Sequence, residues 1–411
     1  MMQERPDELV ALSRPKTGLR EPKVLEILTC SSTFPESDAP SRPSGFRAIQ
    51  VDGNRRNRDG PCDRWRRSPL VRVPGLGRLA LWTARRLGRA RSVARVIALE
   101  GPALVHCRSA AAALLLHEVR RRGTDLPPSI VSLTGTDLGR LARSPWWSPR
   151  IKEALLFCSA WIAEGAASAV ELERLAQGSG RVRVIRRSIE LDAIAPAGPR
   201  GAAQRRQDPR LQILFCGPFV RRQGISFALE AHARLARSSS GARLRLIGSG
   251  PLLREARALA DHLGVSRDVE FLPRGGRAEL LRALPECDVF ISPNITVEDG
   301  DRESGPPPAL LLAMAAAIPV VASRHGDIPE AVVHGKTGLL TEERDVDGLV
   351  AALVRLRNDV ELARELGRGG RSHLEMERPA RKTAEALEDL YRATAGAGKS
   401  SAQSCGAGRE H

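Results

Sequence analysis

Short apolar runs alternate with amphipathic stretches twice along this chain, and that alternation constrains the fold more than any other feature. In the first series KVLEILTC (Lys23 to Cys30) and LVHC read as buried strands, Ala110 to Arg122 as a helix, and IVSLTG and AWIAEG as strands. Ala166 to Gln177 reads as a helix and VRVIRR as a strand. After PAGPRGAAQRRQDP (Pro196 to Pro209), which reads as a linker, a second series begins. LQILFCG, RLRLIG, VEFL, DVFISP and IPVVAS are its strands. Ile225 to Ala236, Pro251 to Leu263, Ala278 to Leu284, Ala309 to Ala316, Asp345 to Leu366 and Pro379 to Ala395 are its helices. Strand–helix alternation builds parallel sheets from βαβ units. Two doubly wound α/β domains facing a cleft follow, and 411 residues suffice for both cores.

Composition narrows the function classes. Only 3% of residues are aromatic, with one Tyr, so stacking platforms for single-stranded nucleic acid are not expected. The formal charge of +16 is concentrated: Arg42 to Arg95 holds 15 Arg against 3 Asp, so the whole-chain charge says little about the rest. The seven cysteines are scattered with no CxxC, which reads as reduced, buried thiols. No HExxH spacing is present and no metal site is expected. MMQERPDELV is polar rather than a signal peptide. The longest apolar run, Ala309 to Ala322, is too short to span a bilayer. A cytoplasmic protein, at most peripheral at the inner face of the membrane, is the expectation.

Two segments stand outside the regular pattern. Asp38 to Ser68 is rich in Arg, Pro, Gly, Ser and Asp, and reads as disorder, an irregular insertion, or the product of a locally shifted reading frame. Leu81 to Leu99 is basic and amphipathic, with Trp82, Leu87, Val93, Val96 and Ile97 on one stripe. It reads either as a helix for an anionic membrane surface or as an ordinary helix packed on the sheet.

The chemistry-bearing residues gather at predicted strand ends. GSGP (Gly248 to Pro251) follows a strand and opens a helix; lacking the third glycine of GxGxxG, it reads equally as a tight turn. Asp301 and Glu303 lie between DVFISP and the next helix, where α/β proteins place ligands. They suit sugar hydroxyls or acid–base work, and a solvated acidic loop is the competing reading. In the first domain His106 ends one strand, and Thr134, Gly135 and Asp137 follow the next. A lone histidine there is more often structural; several polar groups on adjacent strand ends favour a shared cleft.

FCGPFVRRQGISFALEAHARL, RLIGSGPLLREARALADHLGV, CDVFISP, DGDRESGPPPALLLAMAAAIPVVAS and HGDIPEAVVHGKTGLL, in that order over about Leu211 to Tyr391, resemble the donor-binding half of glycosyltransferase family 4. ALVHCRSAAAALLL, SLTGTDL and RVRVIRRSIELDAI extend the likeness more thinly into the first half. The resemblance implies the GT-B fold: two Rossmann-like domains with the last helix crossing back onto the first. It also implies retaining, metal-independent transfer from a nucleotide sugar, with no cofactor. Expected domains are a loose 1–22, an acceptor-side domain 23–200, a donor-side domain 201–376, a crossover helix 377–396 and a disordered tail 397–411.

By the same resemblance Glu303 contacts the transferred sugar. Gly217, Gln223, Gly250, Ser304, Gly305 and Leu312 line the donor site, and His106, Thr134, Gly135 and Asp137 face the acceptor. The departures are specific. Pro218 stands where the family has Arg, Gln223 where it has Lys, Leu312 near its second Glu, and Thr134 at its His. Pro306, Pro307 and Pro308 have no N–H to offer a phosphate. The expected function is sugar transfer to a glycan or lipid-linked acceptor in cell-surface polysaccharide or glycolipid assembly. The alternatives are a non-catalytic GT-B-like binding or scaffolding protein with a degenerate donor site, and an inactive gene product.

Overall fold

The computed structural model describes residues 23–28, 47–52, 90–91, 93–133, 135, 137–175, 177–178, 180–237, 241–273 and 275–406. Two six-stranded, all-parallel sheets organise them. The first contains β1 (Lys23–Leu28), β2 (Arg47–Asp52), β3 (Leu104–Cys107), β4 (Ser129–Ser132), β5 (Ala160–Ala163) and β6 (Val182–Val184), in the order β2-β1-β3-β4-β5-β6. The second contains β7 (Leu211–Cys216), β8 (Ala242–Ile247), β9 (Val269–Leu272), β10 (Val289–Ser292), β11 (Val320–Ser323) and β12 (Leu339–Thr341), in the order β12-β11-β10-β7-β8-β9. This is the GT-B arrangement of two doubly wound sheets.

Helices cover the sheets as the apolar patterns require. In the first domain they are α1 (residues 93–100), α2 (Ala110–Arg121), α3 (Ser148–Phe157) and α4 (Ala166–Leu175). α5 (Ala202–Gln207) lies in the connection. The second domain has α6 (Ile225–Ala236), α7 (Leu253–His262), α8 (Arg277–Ala283), α9 (Pro308–Ala315), α10 (Val346–Asn358) and α11 (Val360–Glu377). α9 starts on Pro308, where a missing N–H costs nothing. Its Leu310, Leu311, Leu312 and Met314 are buried on every side, as expected for a helix apolar all round.

α12 (Ala380–Gly406) crosses back to the first domain. Its Leu387 and Tyr391 pack with Val24, Leu104, Ile130 and Ile162, covering one face of the first sheet. The helix runs on to Gly406, through residues expected to be a disordered tail from 397; residues 407–411 lie outside those described.

One further expectation is corrected and one open choice is decided. Arg47–Asp52, inside the stretch read as irregular, is a strand paired in parallel with β1 along its whole length. It forms the sheet edge. Of the two readings of the basic stripe, packing on the sheet is the one the described residues support. Val93 and Ile97 are buried in the first-domain core with Val96 packed against it, so these apolar groups are not available to a membrane. Trp82 and Leu87 lie outside the described residues. Among the described residues no helix is long and apolar enough to cross a membrane.

Candidate functional site

The loop from β10 to α9 leaves the carboxyl edge of the second sheet and carries Asp301, Glu303, Ser304 and Gly305. Glu303 Oε1 accepts hydrogen bonds from Arg222 Nε and Gln223 Nε2, both at 2.7 Å. Arg222 Nη1 also donates to Asp301 at 3.1 Å. Burial works against the charge on Arg222, but Glu303 and Asp301 outweigh it and hold the guanidinium firmly protonated. Gln223 Oε1 accepts from Asn294 Nδ2 at 3.3 Å, and Asn294 Oδ1 accepts from Ser292 Oγ at 2.6 Å. Gln223, Asn294 and Ser292 are buried. A polar chain thus runs from the end of β10 through two amides to the Glu303 carboxylate.

The backbone of Glu303 is fixed from the other side. Its N–H donates to His325 Nε2 at 3.1 Å, so the His325 proton sits on Nδ1, which faces Glu343 Oε1 at 2.6 Å. Glu343 also accepts from the Thr296 N–H at 2.7 Å. Burial pushes the Glu343 carboxyl up, but His325 and Thr296 together bring it below its ordinary range. Sequence reasoning did not place Arg222 against Glu303, and it missed His325, Glu343 and Asn294. The HG of HGDIPE was the available signal for His325; only the fold brings Glu343 beside it.

The first domain meets this loop directly. A Cβ on Gly135 would overlap the Arg302 carbonyl oxygen and stand 2.5 Å from Ser304 N; a Cβ on Gly139 would overlap the Gly300 carbonyl oxygen. Only glycine permits such an approach. Asp137 is buried at the start of a π-helical turn, Asp137–Leu141, that carries Gly139. Thr134 lies outside the described residues. Nearby, the first turn of α4 points at second-domain carboxylates. The Ala167 N–H donates to Asp327 Oδ1 at 2.8 Å, the Ala166 N–H to Glu330 at 2.5 Å, and Ser168 Oγ hydrogen-bonds Asp327. Carboxylates at a helix N-terminus are stabilised by its unpaired N–H groups and dipole. Arg302 pairs with Glu171 of the same helix. The domains are therefore latched closed around the Glu303 loop.

The other expected residues divide. Gly217 adjoins Gln223: a Cβ there would lie 3.1 Å from Gln223 Oε1. Ser304 and Gly305 are buried where the loop meets the first domain. Gly250 packs on the loop after β7, with a Cβ position 2.5 Å from the Phe219 carbonyl oxygen. Leu312 lies in the apolar packing of α9 and faces core rather than ligand space. His106, expected to face the acceptor, is buried and has structural partners. Its ring is 1% exposed, bonded through Nδ1 to the Tyr391 hydroxyl at 2.8 Å and through Nε2 to Ser132 Oγ at 2.7 Å, beneath α12. Among the described residues no cluster of three or more His, Cys, Asp or Glu could hold a metal ion.

Comparison with known proteins agrees with this geometry. Residues 210–359 match the family model described as glycosyl transferases group 1. The amylovoran biosynthesis glycosyltransferase AmsK of Erwinia amylovora is 38% identical over 149 residues, 36% of each chain. The GDP-mannose-dependent alpha-(1-6)-phosphatidylinositol monomannoside mannosyltransferase of Mycobacterium tuberculosis (strain H37Rv) is 33% identical over 187 residues, 44% of this chain and 48% of that one. The chain thus matches less than half the length of these curated relatives. The crystal structure of sucrose-phosphate synthase from Thermosynechococcus elongatus superposes with a TM-score of 0.72 over 92% of this chain and 100% of the other, at 19% identity.

Proposed function

We propose that this chain, whose residues 210–359 match the group 1 glycosyl transferase model, moves a sugar from a nucleotide-sugar donor to a glycan or lipid-linked acceptor, with retention. One observation carries the reading. Glu303 stands at the carboxyl edge of a parallel sheet, braced by Arg222 and Gln223, on a loop that closes against Gly135 of the first domain. Relatives that make amylovoran and mannosylated phosphatidylinositol point to cell-surface polysaccharide or glycolipid assembly. In this reading Glu303 binds the transferred sugar, and Ser304 and Gly305 border the donor. Gly135 and Asp137 border the acceptor. No metal or cofactor takes part, and the protein works in the cytoplasm at the membrane's inner face.

A second reading, a non-catalytic binding protein, is favoured by Pro218 and Gln223. Neither brings positive charge to a diphosphate. Charge-assisted contacts contribute roughly 1.5–3 kcal/mol each, so two absent ones weaken binding by about two orders of magnitude or more. Calorimetric titration of the full chain with UDP-, GDP- and ADP-sugars separates the two. Binding of one donor, with its turnover abolished in Glu303→Gln, supports the transferase. Binding without turnover under any acceptor mixture supports the second reading.

A further inference from the structure

Of the arginines near the Glu303 loop, Arg302, Arg221 and Arg222 differ in their surroundings. Arg302 is committed to Glu171 across the domain interface, its side chain 14% exposed. Arg221 is 75% exposed, with Glu298 no closer than 3.9 Å. Arg222 is 22% exposed and held on two sides, by Glu303 through Nε and by Asp301 through Nη1. It is thus the one of the three that is both fixed in place, on the turn after Gly217, and in contact with the Glu303 loop. Its immediate charge balance is unfavourable to an anion: one guanidinium stands against two carboxylates, and Gln223 and Asn294 add none.

A ligand phosphate must therefore take the guanidinium from one of those carboxylates. The two are held differently. Glu303 Oε1 also accepts from Gln223, and its own N–H is tied to His325. Nε is oriented by the plane of the guanidinium, and the two Nη groups form a separate edge suited to a bidentate anion. Nε can keep Glu303 in place while the Nη edge changes partner from Asp301 to phosphate.

We propose that Arg222 is the donor-phosphate anchor of this chain and that Asp301 is its built-in competitor, displaced when a nucleoside diphosphate binds. This rests on the donor reading above and deepens it, because it gives the phosphate a cation at a position other than 218 or 223. It also makes binding a balance between two anions for one guanidinium, so removing the Asp301 charge strengthens binding rather than weakening it.

The test uses the full chain, with UDP and GDP as probes, titrated by calorimetry at low and high salt. Arg222→Gln is expected to weaken binding about 10- to 100-fold, the loss of one charge-assisted contact. Asp301→Asn is expected to tighten it severalfold. Arg221→Gln, an adjacent arginine at the surface, is expected to bind as the unmodified protein does. Unchanged affinity in Arg222→Gln, weaker affinity in Asp301→Asn, or a loss in Arg221→Gln overturns the assignment. If Arg222→Gln fails to fold, Asp301→Asn alone decides. Absence of UDP and GDP binding in both the unmodified protein and Asp301→Asn overturns the donor reading itself, and the anchor with it; binding that ignores both substitutions at Arg222 and Asp301 overturns only the anchor.

Discussion

Replacing Tyr391 by Phe should loosen α12 from the first sheet without disturbing the second domain. The Tyr391 hydroxyl lies 2.8 Å from His106 Nδ1, and both residues are buried. Phenylalanine keeps the ring against Leu387, Val24 and Ile130 but strands one nitrogen of His106. An unsatisfied buried polar group costs about 1–3 kcal/mol. Local opening of α12 should therefore become roughly 5- to 150-fold more frequent. Hydrogen exchange at residues 380–395 reads this directly, with α10 as the internal reference. The pH dependence follows from the same contact. Burial first, and Arg108 second, hold the His106 imidazole well below its ordinary range. The unfolded imidazole titrates near about 6.5. Below that pH the unfolded chain binds a proton that the folded one refuses, so stability is full above about 6.5 and falls as pH drops toward the depressed native value. His106→Gln should remove this component. Exchange in α12 that is unchanged by Tyr391→Phe would refute the reasoning, and so would a first domain equally stable at pH 5 and pH 8.

Three further outcomes are expected. Gly139→Ala, whose Cβ would overlap the Gly300 carbonyl, should displace the Glu303 loop and lower transfer by about 100-fold, with the melting of the isolated second-domain transition unchanged; kinetics and calorimetry on one sample check both. Asp288→Ala should cost about 3–5 kcal/mol in chemical denaturation, because the buried Arg200 loses the carboxylate that its Nε and Nη2 share at 3.1 and 2.7 Å. Burial pushes the thiols of Cys158 and Cys216 up to about 12 and raises those of Cys107 and Cys287 as well. All four should therefore resist a thiol reagent at pH 8 until denaturant is added, as peptide mapping would show.

Most of the fold could be read from local pattern, because a parallel sheet buries its strands on both faces and leaves long apolar runs such as LQILFC and VVAS. The failures have local causes. RAIQVD has too few apolar residues to signal a strand, and only the backbone of β1 makes it one. α5 sits in the linker and buries none of its residues, so no periodicity marks it. Asp345 to Leu366 was one expected helix and is two. Asp359 caps the second by accepting from the Leu362 N–H at 2.9 Å, and that helix continues through Gly367, Gly369 and Gly370. Those glycines read as a stop, yet side chains at Gly367 and Gly369 would overlap the carbonyls of Ala317 and Lys336. Glu303 and Gly135 stood out as candidates because each lies on a loop that follows a strand, and the structure brings those loops together. The roles of Arg222, Asn294, His325 and Glu343 did not, because they arise from contacts between residues 18 to 81 positions apart.

The glutamine at position 223 shows why a missing charge is not simply a missing function. A lysine there has three donors and no acceptor. Gln223 donates to Glu303 through Nε2 and accepts from Asn294 through Oε1 at once, with Asn294 fully buried. Lysine at this position would leave the Asn294 amide without its acceptor and set a second cation beside Arg222. Glutamine instead passes orientation from Ser292 at the end of β10 to Glu303 on the next loop, each group donating to the one after it. The carboxylate is thereby aimed by a neutral chain, and its charge remains to be balanced by Arg222 alone. Aiming and charge balance, which a single ammonium would combine, are here divided between two adjacent side chains. Such a division holds the Glu303 loop in place with no lysine at position 223.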